Sequence, residues 1–232
     1  MEKQVKELLK DKFYSLIAEG VEKFPMGFNL GPGLRRDDNL DRRDNSAQPG
    51  DDISNCTLCP LSQTRKKVVV SSEIVKKKFF ILSEFPELED ENSQTKFLFS
   101  EKSSSGLIVK LLEKLGLLQD CHFSFALKCV PEKGLPKSAL SICAKNNLKT
   151  ELASVNPEII LCFGQRAIFA LAQFEPSLLS VDLEENSSNF KLNLENTAKT
   201  VFFLSSSRDL QAFPHWRNQV WKFLEPFKAN SH

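Results

Sequence analysis

The sequence predicts an α/β fold, with a mainly parallel sheet covered by helices on both faces. Three observations lead there. From about residue 77 onward, apolar runs of strand length alternate with segments of helical period. One of those runs, "PEIILCFG", is apolar without polar alternation, as a strand buried on both faces is. With 232 residues, 41% of them hydrophobic, the chain can bury one full core and carry an appendage.

In chain order, residues 2–24 set Val5, Leu8, Leu9, Phe13, Leu16, Ile17 and Val21 at helical spacing between charges, predicting an amphipathic helix within residues 1–28. That helix packs on the main domain or docks a protein partner; the pattern allows both. Residues 29–52, "NLGPGLRRDDNLDRRDNSAQPGDD", mix Gly, Pro and both charges and read as a flexible linker. The main domain is expected over 53–232. In it, "KKFFILSEF" is a strand, and "SSSGLIVKLLEKLGLL" a helix with serine caps that stops near Gly116. "HFSFALKCV" is a strand, "PKSALSICAKNNLKTELASV" a helix with Pro136 and Ser138 at its start, and "PEIILCFG" the buried strand. "QRAIFALAQF" is a helix, "KTVFFLSSS" a strand, and "HWRNQVWKFLEPF" the closing helix. No internal repeat is visible. Ligands in such folds sit at the carboxyl ends of the strands, here Ser83 to Asp90, Lys128 to Lys133, Gly164 and Ser205 to Ser207.

A net charge of +1 argues against blanket nucleic-acid electrostatics, though "TRKKVVVSSEIVKKKFF" holds six basic residues against one acid. That run suits either phosphate contacts or a strand edge guarded by lysines. No apolar run approaches the roughly 18 residues of a membrane span, and "MEKQVKELLK" lacks the apolar core of a signal peptide, so a cytoplasmic protein without a membrane partner is expected.

Cys56 and Cys59 in "NCTLCPLSQTR" have the spacing that lets two thiolates on one turn face a single metal centre. Cys129 and Cys143 bracket "CVPEKGLPKSALSIC", a loop able to fold back on itself, whereas Cys121 and Cys162 lie in strand-like runs as small hydrophobes. Reduced thiols of this kind suit Zn(Cys)4 or an iron–sulfur cluster, and the wide spacing of the second pair favours the cluster. The alternative is that all six cysteines are unliganded.

The order of features, "CTLCPLSQTR", "LKCVPEKGLPKSALSIC" and "NPEIILCFGQRAI", resembles the family 4 uracil-DNA glycosylases, which carry a [4Fe-4S] cluster. The resemblance runs from about Asn55 to Phe223. It implies a three-layer α/β/α sandwich, with Cys56, Cys59, Cys129 and Cys143 as cluster ligands. The catalytic segments depart from the family. Its G-E-x-P-G turn reads Ser83-Glu84-Phe85-Pro86-Glu87, without either glycine; Glu84 and the acid pair Glu89-Asp90 remain, and Phe85 fills space a water or base needs. At the asparagine that reads uracil stands Phe125, whose ring makes none of those hydrogen bonds. At the charge-stabilising histidine stands Ser206 or a neighbour in Ser205-Ser206-Ser207-Arg208, and a hydroxyl carries no positive charge. His215 lies several residues on and reads as a surface or capping residue. Phe97 or Phe99 falls at the base-stacking phenylalanine, which makes Phe85, Phe97 and Phe125 the candidate base pocket. The resemblance therefore implies a glycosylase-like iron–sulfur protein with uracil excision lost or weakened. DNA phosphate contacts are expected from Arg65, Lys66, Lys67, Ser205, Ser206, Ser207 and Arg208. The competing readings are an active glycosylase using Glu84 or Glu89 on uracil or another damaged base, and a scaffold docking a partner through residues 2–24.

Overall fold

The computed structural model describes residues 53–93, 98–132, 134–136, 138–176, 178, 189–194 and 197–228. The helix expected within residues 1–28 and the linker of 29–52 lie outside them. The fold is α/β. Its sheet has strands β1 (Phe79–Ser83), β2 (Cys121–Phe125), β3 (Ile159–Phe163), β4 (Asn189–Leu194) and β5 (Thr197–Leu204) in the order β2-β1-β3-β5-β4. All neighbours run parallel except β4, which pairs antiparallel with β5 at one edge. Strand β4 was absent from the expected elements. Its alternation of exposed Asn189, Lys191 and Asn193 with buried Phe190, Leu192 and Leu194 is the pattern of a half-buried edge.

Described helices are α1 (Leu88–Glu91), α2 (Gly106–Lys114), α3 (Ala139–Cys143), α4 (Lys149–Val155), α5 (Gln165–Ala172), α6 (Ser207–Ala212) and α7 (Pro214–Leu224). Every residue of β1 and β2 is buried, because side chains pointing to alternate faces meet a helical layer on each. Phe80, Leu82, Ile160 and Cys162 pack with Leu148, Leu152, Ala167 and Leu171 from α4, α5 and the segment before α4. On the other face Phe79, Ile81, Leu161 and Phe163 pack with Ile108 and Leu112 of α2, Leu210 of α6, and Val220 and Leu224 of α7. Each such apolar side chain contributes about 1.5–3 kcal/mol on burial. Three layers result.

Two expectations at element ends are corrected. "PKSALSICAKNNLKTELASV" is not one regular α-helix: a π-helical turn, Ala144–Leu148, joins α3 to α4 directly after Cys143. The serines before α2 do not cap it, since Ser105 makes no side-chain cap bond, while Ser103 and Ser104 turn their hydroxyls to Asp90 and Glu87. That loop is pressed onto the helix start. A Cβ on Gly106 would lie 2.3 Å from the Ser100 carbonyl oxygen, so only glycine fits there.

Candidate functional site

Strands β1, β3 and β5 are parallel neighbours, and contacts link the chain segments that follow them. After β1, Glu84 points across to α5. Its Oε1 accepts the Arg166 main-chain N–H at 3.1 Å, and its Oε2 lies 3.7 Å from Arg166 Nη1. Burial raises the Glu84 pKa above the usual carboxylate value, opposed by Arg166 and, more weakly, Arg208. After β3, Gly164 has φ +96°, and a Cβ there would meet the Glu84 side chain at 2.7 Å, so this glycine serves the Glu84 contact.

Phe85 follows, with the Arg208 guanidinium 4.7 Å and that of Arg166 5.4 Å from its ring centre, within cation–π range. Glu87 accepts from the Ser104 main-chain N–H at 3.0 Å, the Ser104 hydroxyl at 2.8 Å and Arg208 Nε at 3.3 Å. Although burial works to raise its pKa, these donors hold the Glu87 carboxyl below its usual value. Asp90 is buried and accepts from Ser100 N and Ser103 Oγ at 2.7 Å and from Glu87 N at 2.9 Å. Glu89 is exposed.

The serine run after β5 is turned inward. Ser205 is fully buried. Ser206 is the N-cap of α6: its Oγ accepts from Asp209 N at 3.2 Å and donates to Asp209 Oδ2 at 2.7 Å. Ser207 is buried, with its Oγ 2.9 Å from Ser104 Oγ. Of the expected phosphate contacts, Lys66, Lys67 and Arg208 have exposed side chains, and the main-chain N–H groups of both lysines bind Glu91. His215 is exposed at the start of α7, its ring 5.0 Å from Trp216.

Phe125 is wholly buried at the end of β2, its ring centre 4.7 Å from that of Phe99, which in turn stands 5.2 Å from Phe123. Phe97 lies outside the described residues. The three rings form one apolar cluster beneath α2.

The cysteines divide as their surroundings suggest. Cys121 and Cys162 are buried in β2 and β3, where burial pushes the Cys121 thiol up to about 12 and raises that of Cys162 well above its ordinary value. Cys56, Cys59, Cys129 and Cys143 line one small pocket together with Leu58, Val68, Leu127 and Ile142. Two contacts assemble it. Val69 N–H donates to the Lys128 carbonyl at 2.7 Å, laying the first cysteine segment along the second, and Arg65 donates to the Cys56 carbonyl at 2.6 Å. Arg65 thus clamps the Cys56 turn. Burial pushes the Cys129 thiol up to about 11, opposed by Arg65 and reinforced by Cys143, Cys59 and Cys56.

Four thiols are the soft donors that zinc or an iron–sulfur centre takes. Among the described residues no group of three or more His, Cys, Asp or Glu side chains could hold a single metal ion. The four thiols suit a thiolate-held centre by the chemistry of their donors and by the pocket they share.

Reasoning from sequence missed a buried polar network beside this pocket. Glu151 of α4 receives His122 Nε2 at 2.8 Å, the Ser124 hydroxyl at 2.9 Å, and the Lys128 ammonium. All four side chains are buried. The available signal was His122 and Ser124 alternating with Cys121, Phe123 and Phe125, which leaves two polar groups on a covered face.

A mainly parallel sheet between two helical layers, with polar loops gathered at the carboxyl ends of its strands, defines a doubly covered α/β protein. The family model for the uracil DNA glycosylase superfamily matches residues 72–228, and the chain belongs to that superfamily. The match begins beyond Cys56 and Cys59 and includes Cys129 and Cys143. Comparison with curated proteins gives no match. No helix among the described residues is long and apolar enough to cross a membrane.

Proposed function

We propose that this chain is an iron–sulfur member of the superfamily, akin to family 4, with a DNA-related role and with uracil excision lost or strongly weakened. One observation carries the loss of excision: Phe125, at the position of the uracil-reading asparagine, is wholly buried and lies 4.7 Å from Phe99. An extruded base needs a pocket with hydrogen-bonding groups on its walls, whereas a close-packed aromatic cluster provides neither space nor partners. Glu84 is held by Arg166, and Ser206 by Asp209, so two further groups at catalytic positions face inward.

The cofactor reading rests on the four thiols sharing one pocket. The resemblance to family 4 and the wide sequence spacing of Cys129 and Cys143 favour the [4Fe-4S] cluster over zinc. The cluster would tie the Cys56 turn to the Cys129 to Cys143 loop, and folding there would depend on it. Cys129→Ser is expected to lose iron and sulfide after anaerobic purification; unchanged content removes Cys129 from the ligand set. A role on DNA is supported by superfamily membership and by the exposed Lys66, Lys67 and Arg208, which suit phosphate contacts.

The test of lost excision is a single-turnover assay with protein in excess over labelled single-stranded and duplex DNA carrying one uracil. No alkali-labile cleavage is expected. Cleavage that disappears in Glu84→Gln would overturn the reading in favour of an active enzyme with a rearranged site. The raised pKa of buried Glu84 favours that second reading, since a carboxyl tuned upward suits proton transfer.

A further inference from the structure

Phe213, between α6 and α7, holds a position that local physics would give to another residue. It is the N-cap of α7, where Ser, Thr, Asp or Asn supplies a side-chain bond, and its ring supplies none. The residue is also 47% exposed, although its main chain is fully used: its N–H donates to the Asp209 carbonyl at 2.9 Å, and its carbonyl accepts from the Trp216 N–H at 3.1 Å. The turn needs the backbone of Phe213 and not its phenyl group.

A single exposed ring is ordinary in a folded protein, but this one ends a row. Its centre lies 5.8 Å from that of the exposed His215 ring, which lies 5.0 Å from that of Trp216, with interplanar angles of 49° and 39°. Both separations fall in the range of aromatic pairing. Trp216 is half-buried and packs against the core that holds Val220 and Leu224, so the row is anchored at one end and open to solvent at the other. Its flanks are basic. From Leu210 to Leu224 the chain has no acid, while Arg217 and Lys222 are cations, and Asp209, the acid just before, is engaged by Ser206. Arg208, with its side chain 54% exposed, stands at the start of α6, a helix about 9 Å long that ends just before Phe213. Planar rings seated on the core and flanked by cations complement planar bases joined by phosphates.

We propose that Phe213, His215 and Trp216 form a stacking ladder for the bases of single-stranded nucleic acid, with the basic side chains of α6 and α7 beside its phosphates. This rests on the DNA-related reading above and lies apart from the closed region at Glu84 and Phe125. Stacking asks only for a π-face, so the ladder takes any base and needs none of the groups that read uracil.

The test titrates the full chain by anisotropy, at one fixed salt concentration, against two labelled strands of about 20 nucleotides: oligo-dT, and a strand of equal length whose bases are all replaced by an abasic analogue. Wild type is expected to bind oligo-dT more tightly than the abasic strand. Phe213→Ala is expected to weaken oligo-dT binding about 5- to 100-fold, the loss of one base stack, and to leave the abasic strand within about twofold. Its thermal midpoint is expected to be unchanged, because the ring lies outside the core. Phe213→Trp keeps a π-face and is expected to retain binding. Phe213→Leu is apolar without a π-face; it is expected to lose binding as the alanine variant does, and it carries the test if that variant fails to fold. Equal affinity of wild type for the two strands, an equal loss on both in Phe213→Ala, or oligo-dT binding unchanged in Phe213→Ala overturns the proposal alone. Wild type that binds neither strand overturns the DNA-related reading and this proposal together.

Discussion

Glu151→Ala is expected to cost about 3–5 kcal/mol of folding stability at neutral pH, the penalty for leaving a buried charge without its partner. The charge is the Lys128 ammonium, which also donates to the Ser124 hydroxyl, in a site sealed from solvent. Two consequences separate this from simple loss of packing. In Lys128→Met/Glu151→Leu no charge is stranded, so much of the loss should return, less the 1–3 kcal/mol of His122 and Ser124 left without an acceptor. The second is pH dependence. Burial works to raise the Glu151 pKa, yet the Lys128 charge and the His122 hydrogen bond outweigh it and hold it at about 2, against an ordinary 4.5. Between those values the unfolded chain binds a proton that the folded chain does not, so stability rises with pH there, is complete above about 4.5, and is gone below about 2. That interval corresponds to about 3 kcal/mol. Urea denaturation of wild type and Glu151→Gln across this range measures it. The difference between the two chains isolates Glu151 from the titration of groups common to both. Equal slopes would mean that the carboxylate is not held by this pair.

The sheet was legible because its strands are short, apolar and separated by helical periods: Phe79–Ser83 and Ile159–Phe163 fall inside the runs "KKFFILSEF" and "PEIILCFG". Strand β4 escaped because only three apolar residues, Phe190, Leu192 and Leu194, carry its alternation. The grouping of four cysteines was also legible, since loop-forming Pro and Gly lie between Cys129 and Cys143 while Cys121 and Cys162 sit in strands. The inward turn of the serines was not. A hydroxyl run after a strand suits a phosphate cradle or a helix cap equally well, and only the Asp209 and Ser104 contacts decide for the cap and the internal bond. Nor does any local pattern announce the π-turn Ala144–Leu148.

Phe125→Ala is expected to destabilise the protein by about 3–5 kcal/mol and still to yield no uracil excision. The cost follows from a ring that is wholly buried against Phe99 in a cluster also holding Ile108 and Leu112, where partial collapse leaves a cavity. Chemical denaturation measures it, and a loss below about 1 kcal/mol would mean that the ring is not part of the core. The second half of the expectation is the more informative. Removing the ring supplies space but no group that reads uracil, and a dry apolar cavity does not attract a polar base. The region at the strand ends stays closed by contacts independent of Phe125: Glu84 on Arg166, Glu87 on Ser104 and Arg208, and Ser206 on Asp209. Replacing Ser206 by histidine would restore a charged donor only by removing the cap of α6, a loss of about 1 kcal/mol. Glu84 and Ser206, proposed above to stand at catalytic positions, are thus embedded in the fold's own hydrogen bonds, and excision appearing in Phe125→Ala alone would show instead that one ring separates this site from an active one.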